Sequence, residues 1–281
     1  MNKRLVTIQD ISCVGQCSLT VALPIISAMG IECCVLPTAV LSTHTAGFTN
    51  YTFMDLTDEI PRISAHWKKE KIGFDAIYTG YIGSFDQIAH ISNIIKDFWH
   101  EGIKVVIDPV MADKGQLYKG FTMEFARAMS QLISQADVVV PNMTEASFLL
   151  GVDYVESGYD KAYIERLLRS FDRLTTADVV LTGVSFEQGK LGIAVYDRQR
   201  DNISYYFQDR IDVEMHGTGD VWASSFTGAL LSGLSLMEAG QVAVDYTVEC
   251  IKRTMGDKSH WYGVKFEQAI PYLIKRIGLD G

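Results

Sequence analysis

Short runs of apolar, β-forming residues alternate along the chain with longer segments whose apolar residues recur at helical spacing. The short runs predict strands at Leu5–Ile8, Ile31–Leu36, Phe74–Thr79, Lys104–Ile107, Asp137–Val140 and Asp178–Leu181. The longer segments predict helices at Ser18–Met29, Asp55–Lys71, Phe85–Trp99, Met123–Ile133, Glu145–Leu150 and Lys161–Leu174. Because strand and helix alternate so often, we expect an α/β fold with a mainly parallel sheet and helices on both faces.

The pattern changes after the last of these strands. Leu191–Tyr196 and Ile203–Phe207 are joined by a polar turn and predict a hairpin, and the chain from Gly219 onward is helical almost to its end. Repeats, low-complexity stretches and Pro/Ser-rich linkers are absent from the sequence, so we expect one domain over residues 1–281, with residues 38–53 as a candidate lid. Ligands of such sheets bind beyond the carboxyl ends of the strands, which is where the unusual residues cluster.

Composition and charge argue against several classes of function. The chain has 281 residues, 48% of them hydrophobic and 21% charged, and its formal net charge of −9 argues against nonspecific nucleic-acid binding. Apolar stretches fall short of the roughly 18 residues that a membrane span needs. The first apolar run reaches Gln9 and Asp10 too soon for a signal peptide, and the five cysteines form no CxxC pair. We therefore expect a cytoplasmic protein with reduced thiols and no zinc site.

The strongest candidate for chemistry is Gly217-Thr218-Gly219-Asp220, which runs into a helical stretch. Two glycines allow backbone N–H groups to turn inward at a helix N-terminus, where the helix dipole favours anions. An aspartate there is also a common helix cap, but a cap does not need two glycines. An anion-binding turn beside a carboxylate suits phosphoryl transfer to a hydroxyl, because the amides hold developing charge while the carboxylate takes the proton.

Two further groups of polar residues follow predicted strands. Asp108 and Asp113 come directly after the strand that ends at Ile107, and two carboxylates there can hold Mg²⁺ together with phosphate and water. The plain alternative for this pair is a Pro-containing turn with solvated acids. Asn142 and Glu145 follow the next strand, where they could equally form a capping box for the next helix. Three such groups at the ends of three strands indicate a common site.

These residues resemble those of the ribokinase-fold kinases, and in particular of the pyridoxal and pyridoxamine kinases of vitamin B6 salvage. The resemblance covers residues 4 to about 235 and lies in the stretches Ile8–Gly15, Leu41–Phe48, Tyr78–Tyr81, Asp108–Val110, Asn142–Glu145 and Gly217–Asp220. The last two stretches are shared by the whole superfamily, whereas His44, Thr45 and Tyr81 point to the B6 branch. The resemblance implies a ribokinase-like three-layer α/β/α sandwich with a small lid.

The resemblance also implies a role for each matching residue. Asp220 resembles the catalytic base for the 5′-hydroxyl of the substrate, and Gly217, Thr218 and Gly219 resemble its anion hole. The other matches are substrate contacts at Asp10, His44, Thr45 and Tyr81, nucleotide contacts at Asp108, Asn142, Glu145 and Thr182, and a magnesium shell at Asp108, Asp113 and Glu145. The implied co-substrate is ATP, the implied metal is Mg²⁺ and the implied assembly is a homodimer.

Three positions depart from the family pattern. Many relatives have serine where Asp10 stands, and a carboxylate there could pair with a protonated ring nitrogen or bind a ring hydroxyl. Ala112 replaces a common glycine beside the nucleotide, and Val140 stands where some relatives have a threonine implicated in monovalent-cation binding. The preferred vitamer and a requirement for a monovalent cation therefore stay open.

The resemblance thus implies an ATP-dependent kinase for the 5′-hydroxymethyl group of pyridoxal, pyridoxine or pyridoxamine. Two alternatives remain: a hydroxymethylpyrimidine kinase of thiamine synthesis, which shares the fold and machinery, and a non-catalytic relative that binds B6 vitamers. The sequence has no GxGxxG after the first strand and no Walker A motif, which argues against dinucleotide-binding dehydrogenases and P-loop NTPases.

Overall fold

The computed structural model of the protein describes residues 3–279. Its strands are β1 (Arg4–Ser12), β2 (Glu32–Leu41), β3 (Phe53–Asp55), β4 (Ala76–Thr79), β5 (Lys104–Ile107), β6 (Ala112–Asp113), β7 (Gln116–Leu117), β8 (Val138–Val139), β9 (Asp178–Val184), β10 (Lys190–Asp197) and β11 (Asn202–Asp209). Its helices are α1 (Leu19–Ala28), α2 (Glu59–Lys69), α3 (Phe85–Phe98), α4 (Met123–Ile133), α5 (Met143–Leu150), α6 (Lys161–Ser170), α7 (Thr218–Leu231), α8 (Leu236–Thr254) and α9 (Phe266–Arg276).

The core of the molecule is a nine-stranded sheet in the order β11-β10-β9-β8-β5-β4-β1-β2-β3. The six strands from β9 to β2 are parallel neighbours. β3 adds an antiparallel strand at one edge, and the β10–β11 hairpin does so at the other. β6 and β7 form a separate small hairpin after β5. The mainly parallel sheet predicted from the sequence is confirmed.

Helices cover both faces of the sheet. Side chains alternate along β1, so that Leu5 packs in the cluster formed with α1, α7, α8 and α9, while Val6 packs in the cluster formed with α2 to α6. This three-layer arrangement confirms the predicted α/β/α class. The chain runs from β1 through α1 to β2 and β3 on one side of β1, and it then returns through α2 to β4 on the other side of β1. A crevice therefore opens between the carboxyl ends of β1 and β4, at the switch point where ligands of such sheets bind.

Some local predictions need correction. Residues 38–41 of the candidate lid belong to β2 and residue 53 to β3, so the connection between these strands is residues 42–52. The predicted helix from Asp55 begins at Glu59, because Phe53–Asp55 pairs with β2 instead. The helical stretch after Gly219 is broken at Gly233 and again at Gly256, whose φ values of 97° and 87° do not continue a helix. Between residues 3 and 279, every helix is too short or too polar to cross a membrane.

Candidate active site

The predicted site residues converge at the carboxyl edge of the sheet. Asp10 lies near the end of β1, Tyr81 follows β4, Asp108 follows β5, and Asp220 lies in the first turn of α7. Burial raises the pKa of Tyr81, Asp220 and Asp108; the negative charge of Asp10 adds to the shift of the first two, and the charge of Asp220 adds to that of Asp108. The structure therefore brings together side chains that come from four separate elements.

The turn before α7 presents free backbone amides. Gly217 occupies the N-cap position with a left-handed φ of 77°, and a Cβ there would lie 1.7 Å from the carbonyl oxygen of Gln16, so glycine is required. A Cβ on Gly219 would meet no protein atom within 4 Å, which leaves open space over the turn. Among the described residues no side chain caps this helix, so the first-turn N–H groups are available to an anion. The alternative that Asp220 merely caps α7 is not supported, since Asp220 is the third helical residue.

Asp220 is a half-buried carboxylate in an unfavourable setting for charge. Burial, with the charge of Asp10, raises its pKa to about 7, although the Ser18 backbone and the Cys17 thiol act in the opposite direction. A carboxylate with a pKa near the working pH can accept a proton and release it again, which suits a general base.

Two of the predicted substrate contacts, Asp10 and Tyr81, lie at the carboxyl ends of β1 and β4, beside the crevice between these strands. Asp10 is buried, accepts a hydrogen bond from Ser12 Oγ at 3.0 Å, and has a pKa raised by burial. Burial and the Asp10 charge raise the pKa of Tyr81 to about 12, so its hydroxyl stays protonated and can donate. Thr45 is exposed on the 42–52 connection.

His44, unlike the exposed Thr45 beside it, is buried and hydrogen-bonded within the protein. Its ring is buried, Nε2 lies 2.7 Å from the carbonyl oxygen of Tyr262, and Nδ1 accepts from Ala46 N at 3.2 Å. Because Nδ1 is an acceptor, Nε2 carries the proton and donates to Tyr262. Both ring nitrogens thus have protein partners, so we assign His44 to holding the 42–52 connection in place.

Glu145 and Asn142 form the capping box expected at the start of α5, which is confirmed. Asn142 Oδ1 accepts from Glu145 N at 2.9 Å, while Glu145 Oε2 accepts from Asn142 N at 2.9 Å. The other carboxylate oxygen of Glu145 accepts from Met111 N at 3.1 Å, and Asn142 Nδ2 donates to Ala112 O at 2.8 Å. The pair therefore also fixes the chain that follows Asp108.

Asp108 and Glu145 are buried acids whose shared charge favours a cation. Burial raises the pKa of Glu145 to about 8, and burial together with the charges of Glu145 and Asp220 raises that of Asp108. Within residues 3–279, His, Cys, Asp and Glu side chains do not gather into a group of three able to hold an ion by themselves. Their oxygen donors fit a Mg²⁺ ion that also takes phosphate and water ligands. Asp113 is exposed on β6, where it accepts from Lys114 N at 2.9 Å.

Thr182 lies on β9 beside this acidic pair. Its backbone N donates to the Pro141 carbonyl at 2.9 Å, and Thr182 forms an isolated parallel β-bridge with Asn142. Its hydroxyl is 3.5 Å from the same carbonyl, a weak contact that leaves it free for another partner.

Two side chains at the site were missed by sequence reasoning. Tyr118 follows β7 and is 41% exposed, but desolvation of its hydroxyl and the charges of Glu145 and Asp113 raise its pKa, so the hydroxyl lies near these acids. Cys17 Sγ lies 3.7 Å from the position that a Cβ of Gly217 would take, and burial and Asp220 raise its pKa. Neither residue belongs to a recognisable motif, because only the folded path of its loop brings each of them to the site.

Comparison with known proteins identifies the family and the fold of the chain. The model of the phosphomethylpyrimidine kinase family matches residues 22–264. A candidate phosphomethylpyrimidine kinase from Bacteroides thetaiotaomicron, solved in a crystal form with pyridoxal, is 38% identical and has a TM-score of 0.92, with 97% of this chain and 96% of that one covered. Pyridoxal kinase from Lactobacillus plantarum is 31% identical with a TM-score of 0.90, covering 97% of each chain.

A curated relative gives the same assignment. Pyridoxine kinase of Bacillus subtilis is 31% identical over 189 residues, which are 65% of this chain and 66% of that protein, just under two thirds of its length. The predicted resemblance and the kinase class are confirmed. The chain belongs to the phosphomethylpyrimidine kinase family and, within the ribokinase superfamily, to the pyridoxal kinases.

Proposed function

We propose that this protein transfers the γ-phosphoryl group of ATP to the 5′-hydroxymethyl group of pyridoxal, pyridoxine or pyridoxamine. The observation that carries the proposal is the position of Asp220. Its carboxylate, with a pKa near 7, lies between uncapped amides at the start of α7 and the buried acid Asp10 in the β1–β4 crevice. A proton acceptor, an anion site and a pocket for a polar ring are therefore adjacent, as phosphoryl transfer to an alcohol requires.

The acceptor side of the reaction lies between β1 and β4. Asp10 and the protonated hydroxyl of Tyr81 would bind the polar edge of the pyridine ring, and Thr45 would approach it from the 42–52 connection, which we propose acts as the lid. This places the hydroxymethyl group at Asp220, which takes the hydroxyl proton as the oxygen attacks phosphorus. Covering the ring excludes water from the reacting phosphoryl group and so limits ATP hydrolysis.

The nucleotide side lies over α5 and β9. Asn142 and Thr182 would contact the phosphates, and the backbone amides of Thr218 and Gly219 would bind the developing charge on the transferred group. Asp108 and Glu145 would hold Mg²⁺, with Asp113 at the outer edge of the shell. When bound, the ion neutralises charge on the phosphate oxygens.

The assembly we propose is a homodimer, as the resemblance implies. Phe53 and Met54 on the edge strand β3 are 56% and 64% exposed, which is high for large apolar side chains and offers a surface for a second copy.

A substrate panel tests the proposed reaction. The purified protein with ATP and Mg²⁺ is given pyridoxal, pyridoxine, pyridoxamine or hydroxymethylpyrimidine, and phosphorylated product is measured beside the Asp220→Asn variant. We expect the highest kcat/KM with a B6 vitamer and near-background turnover in the variant. Hydroxymethylpyrimidine as the best substrate would assign the chain to the thiamine branch. Binding of the vitamers without turnover would identify a non-catalytic relative.

A further inference from the structure

The segment from Lys258 to Gly263, between α8 and α9, contacts two loops around the proposed acceptor pocket. One is the 42–52 connection, and the other is the turn at residues 13–18 between β1 and α1. The segment belongs to none of the motifs discussed above. Its contacts show how the two loops are held relative to each other.

The segment has a firm attachment to the body of the protein. The Asp257 carboxylate accepts from Ser259 N at 2.9 Å and lies 2.5 Å from Lys265 Nζ. The backbone N of Lys265 donates to the hydroxyl of Thr254 at 2.8 Å, and His260 Nδ1 lies 2.8 Å from the Gly263 carbonyl oxygen. Both ends of the segment are thus fixed to α8 and α9.

Trp261 packs directly on the 42–52 connection. Its ring centroid lies 4.6 Å from that of Phe48, and a Cβ on Gly47 would lie 2.8 Å from Trp261 Cζ3. Gly47 has a φ of 81°, so it is glycine both for its backbone angle and for the approach of the indole. The neighbouring Tyr262 carbonyl receives the hydrogen bond from His44. Ring packing and a buried hydrogen bond therefore hold this connection from the same side.

Gly263 supports the other loop. A Cβ at this position would lie 2.3 Å from Cβ of Gln16, so the two residues are in close contact. The Gln16 side chain donates from Nε2 to Glu267 Oε1 at 2.9 Å, and its carbonyl oxygen lies against Gly217 of the proposed anion hole. The 13–18 turn is thus held between α9 and the start of α7.

We propose that Trp261, Tyr262 and Gly263 are positioning residues for the acceptor pocket, which hold the lid and the 13–18 turn in register and so set the affinity for the acceptor alcohol. The inference rests on the proposed function in treating residues 42–52 as the lid. Within residues 3–279, the contacts just described reach the 42–52 connection and the 13–18 turn, not the residues assigned above to the nucleotide, so we expect the effect to fall on the acceptor.

The test compares Trp261→Ala, Trp261→Phe and Trp99→Ala. Trp99 is a matched control, since it is also an exposed tryptophan but follows α3 at the amino edge of the sheet. Loss of one aromatic pair and its burial should raise the acceptor KM of Trp261→Ala about tenfold. In Trp261→Ala the KM for ATP and the kcat should stay within about twofold of the wild type. In Trp261→Phe the acceptor KM should return close to the wild-type value, because the phenyl ring can still pack on Phe48.

Hydrogen exchange gives a readout that does not depend on activity. Amides of residues 42–52 should exchange faster in Trp261→Ala than in the wild type or in Trp99→Ala. Unchanged acceptor KM and unchanged exchange would overturn the inference, as would equal rises in the KM values for acceptor and ATP. The acceptor is whichever alcohol the substrate panel identifies, so a failure of the B6 assignment does not affect the outcome.

Discussion

Replacing Asp220 by Asn separates the chemical role of this residue from its structural cost. The amide keeps the size of the side chain and an oxygen that can accept from Ser18 and Cys17, but it cannot take the proton of the substrate hydroxyl. We expect kcat to fall by roughly 10²–10⁴, the usual contribution of a positioned base. The KM for ATP should change little, because the first-turn amides of α7 remain.

Whereas kcat falls in Asp220→Asn, the free energy of unfolding of this variant should rise above that of the wild type at neutral and higher pH. The pKa of Asp220 rises from 3.8 in the unfolded chain to about 7, mainly through burial, so the folded state binds this proton more tightly. At pH 8 the full shift would correspond to ~4 kcal/mol of destabilisation. Because the side chain is partly exposed to solvent, which screens its charge, we expect about half of that value. The free energy of unfolding therefore falls as the pH rises from about 4 to about 7, and the Asn variant should lack this loss.

The assays are urea unfolding and steady-state kinetics across pH 4–9, with Asp245→Asn as the control. Asp245 lies on α8 and accepts from Tyr206 and Gln208 at 2.7 and 2.8 Å, so its amide variant should lose stability and keep kcat. The wild-type kcat should reach only about a tenth of its plateau at pH 6, one unit below the base pKa. Turnover near the wild-type level in Asp220→Asn would refute the base, and combined loss of activity and stability would refute the reasoning from burial.

Three further predictions concern the metal, the acceptor and the assembly. Glu145→Gln should raise the Mg²⁺ concentration for half-maximal rate and cost about 1–3 kcal/mol of stability, because its NH₂ group would face a backbone donor; an unchanged magnesium titration would leave Glu145 with capping alone. Asp10→Ala should shift the kcat/KM ratios among the three vitamers and hydroxymethylpyrimidine at a constant KM for ATP, and fixed ratios with an altered KM for ATP would place Asp10 on the nucleotide side. Sedimentation at micromolar concentration should give twice the 31.3 kDa chain mass, and a mass near 31.3 kDa would contradict the dimer.

The fold was predictable from the sequence where periodicity is strong. Strands buried on both faces, such as β4 and β5, are continuous apolar runs, and their helices carry apolar residues at regular spacing. The edge strand β3 was missed, because its residues are exposed and are held by pairing with β2 rather than by burial. The two-residue strands β6 and β7 are likewise too short for any period to appear.

The site was predictable as a set of strand ends, but its contacts were not. Asp108, Asn142 and Asp220 follow strands or begin helices, so topology alone gathers them at one edge. Trp261 packs on the 42–52 connection although more than two hundred residues separate them in the sequence, and neither residue type nor spacing predicts such a contact. Burial also could not be predicted from the sequence, and it is burial that sets the pKa of Asp220.

The placement of α7, α8 and α9 has a consequence for biosynthesis. These helices, which follow all the strands of the sheet in the sequence, cover a face of the sheet that includes Leu5, Ala76 and Val106. While the ribosome is still translating them, a nascent chain that already holds the parallel strands carries an apolar sheet face that α1 covers only in part. We expect such a chain to depend on chaperones until α9 emerges. Because Asp220 lies on α7, the first of these helices to be translated, the phosphoryl-transfer site cannot form before closure of this face begins, so a chain that stops short of α7 should not consume ATP.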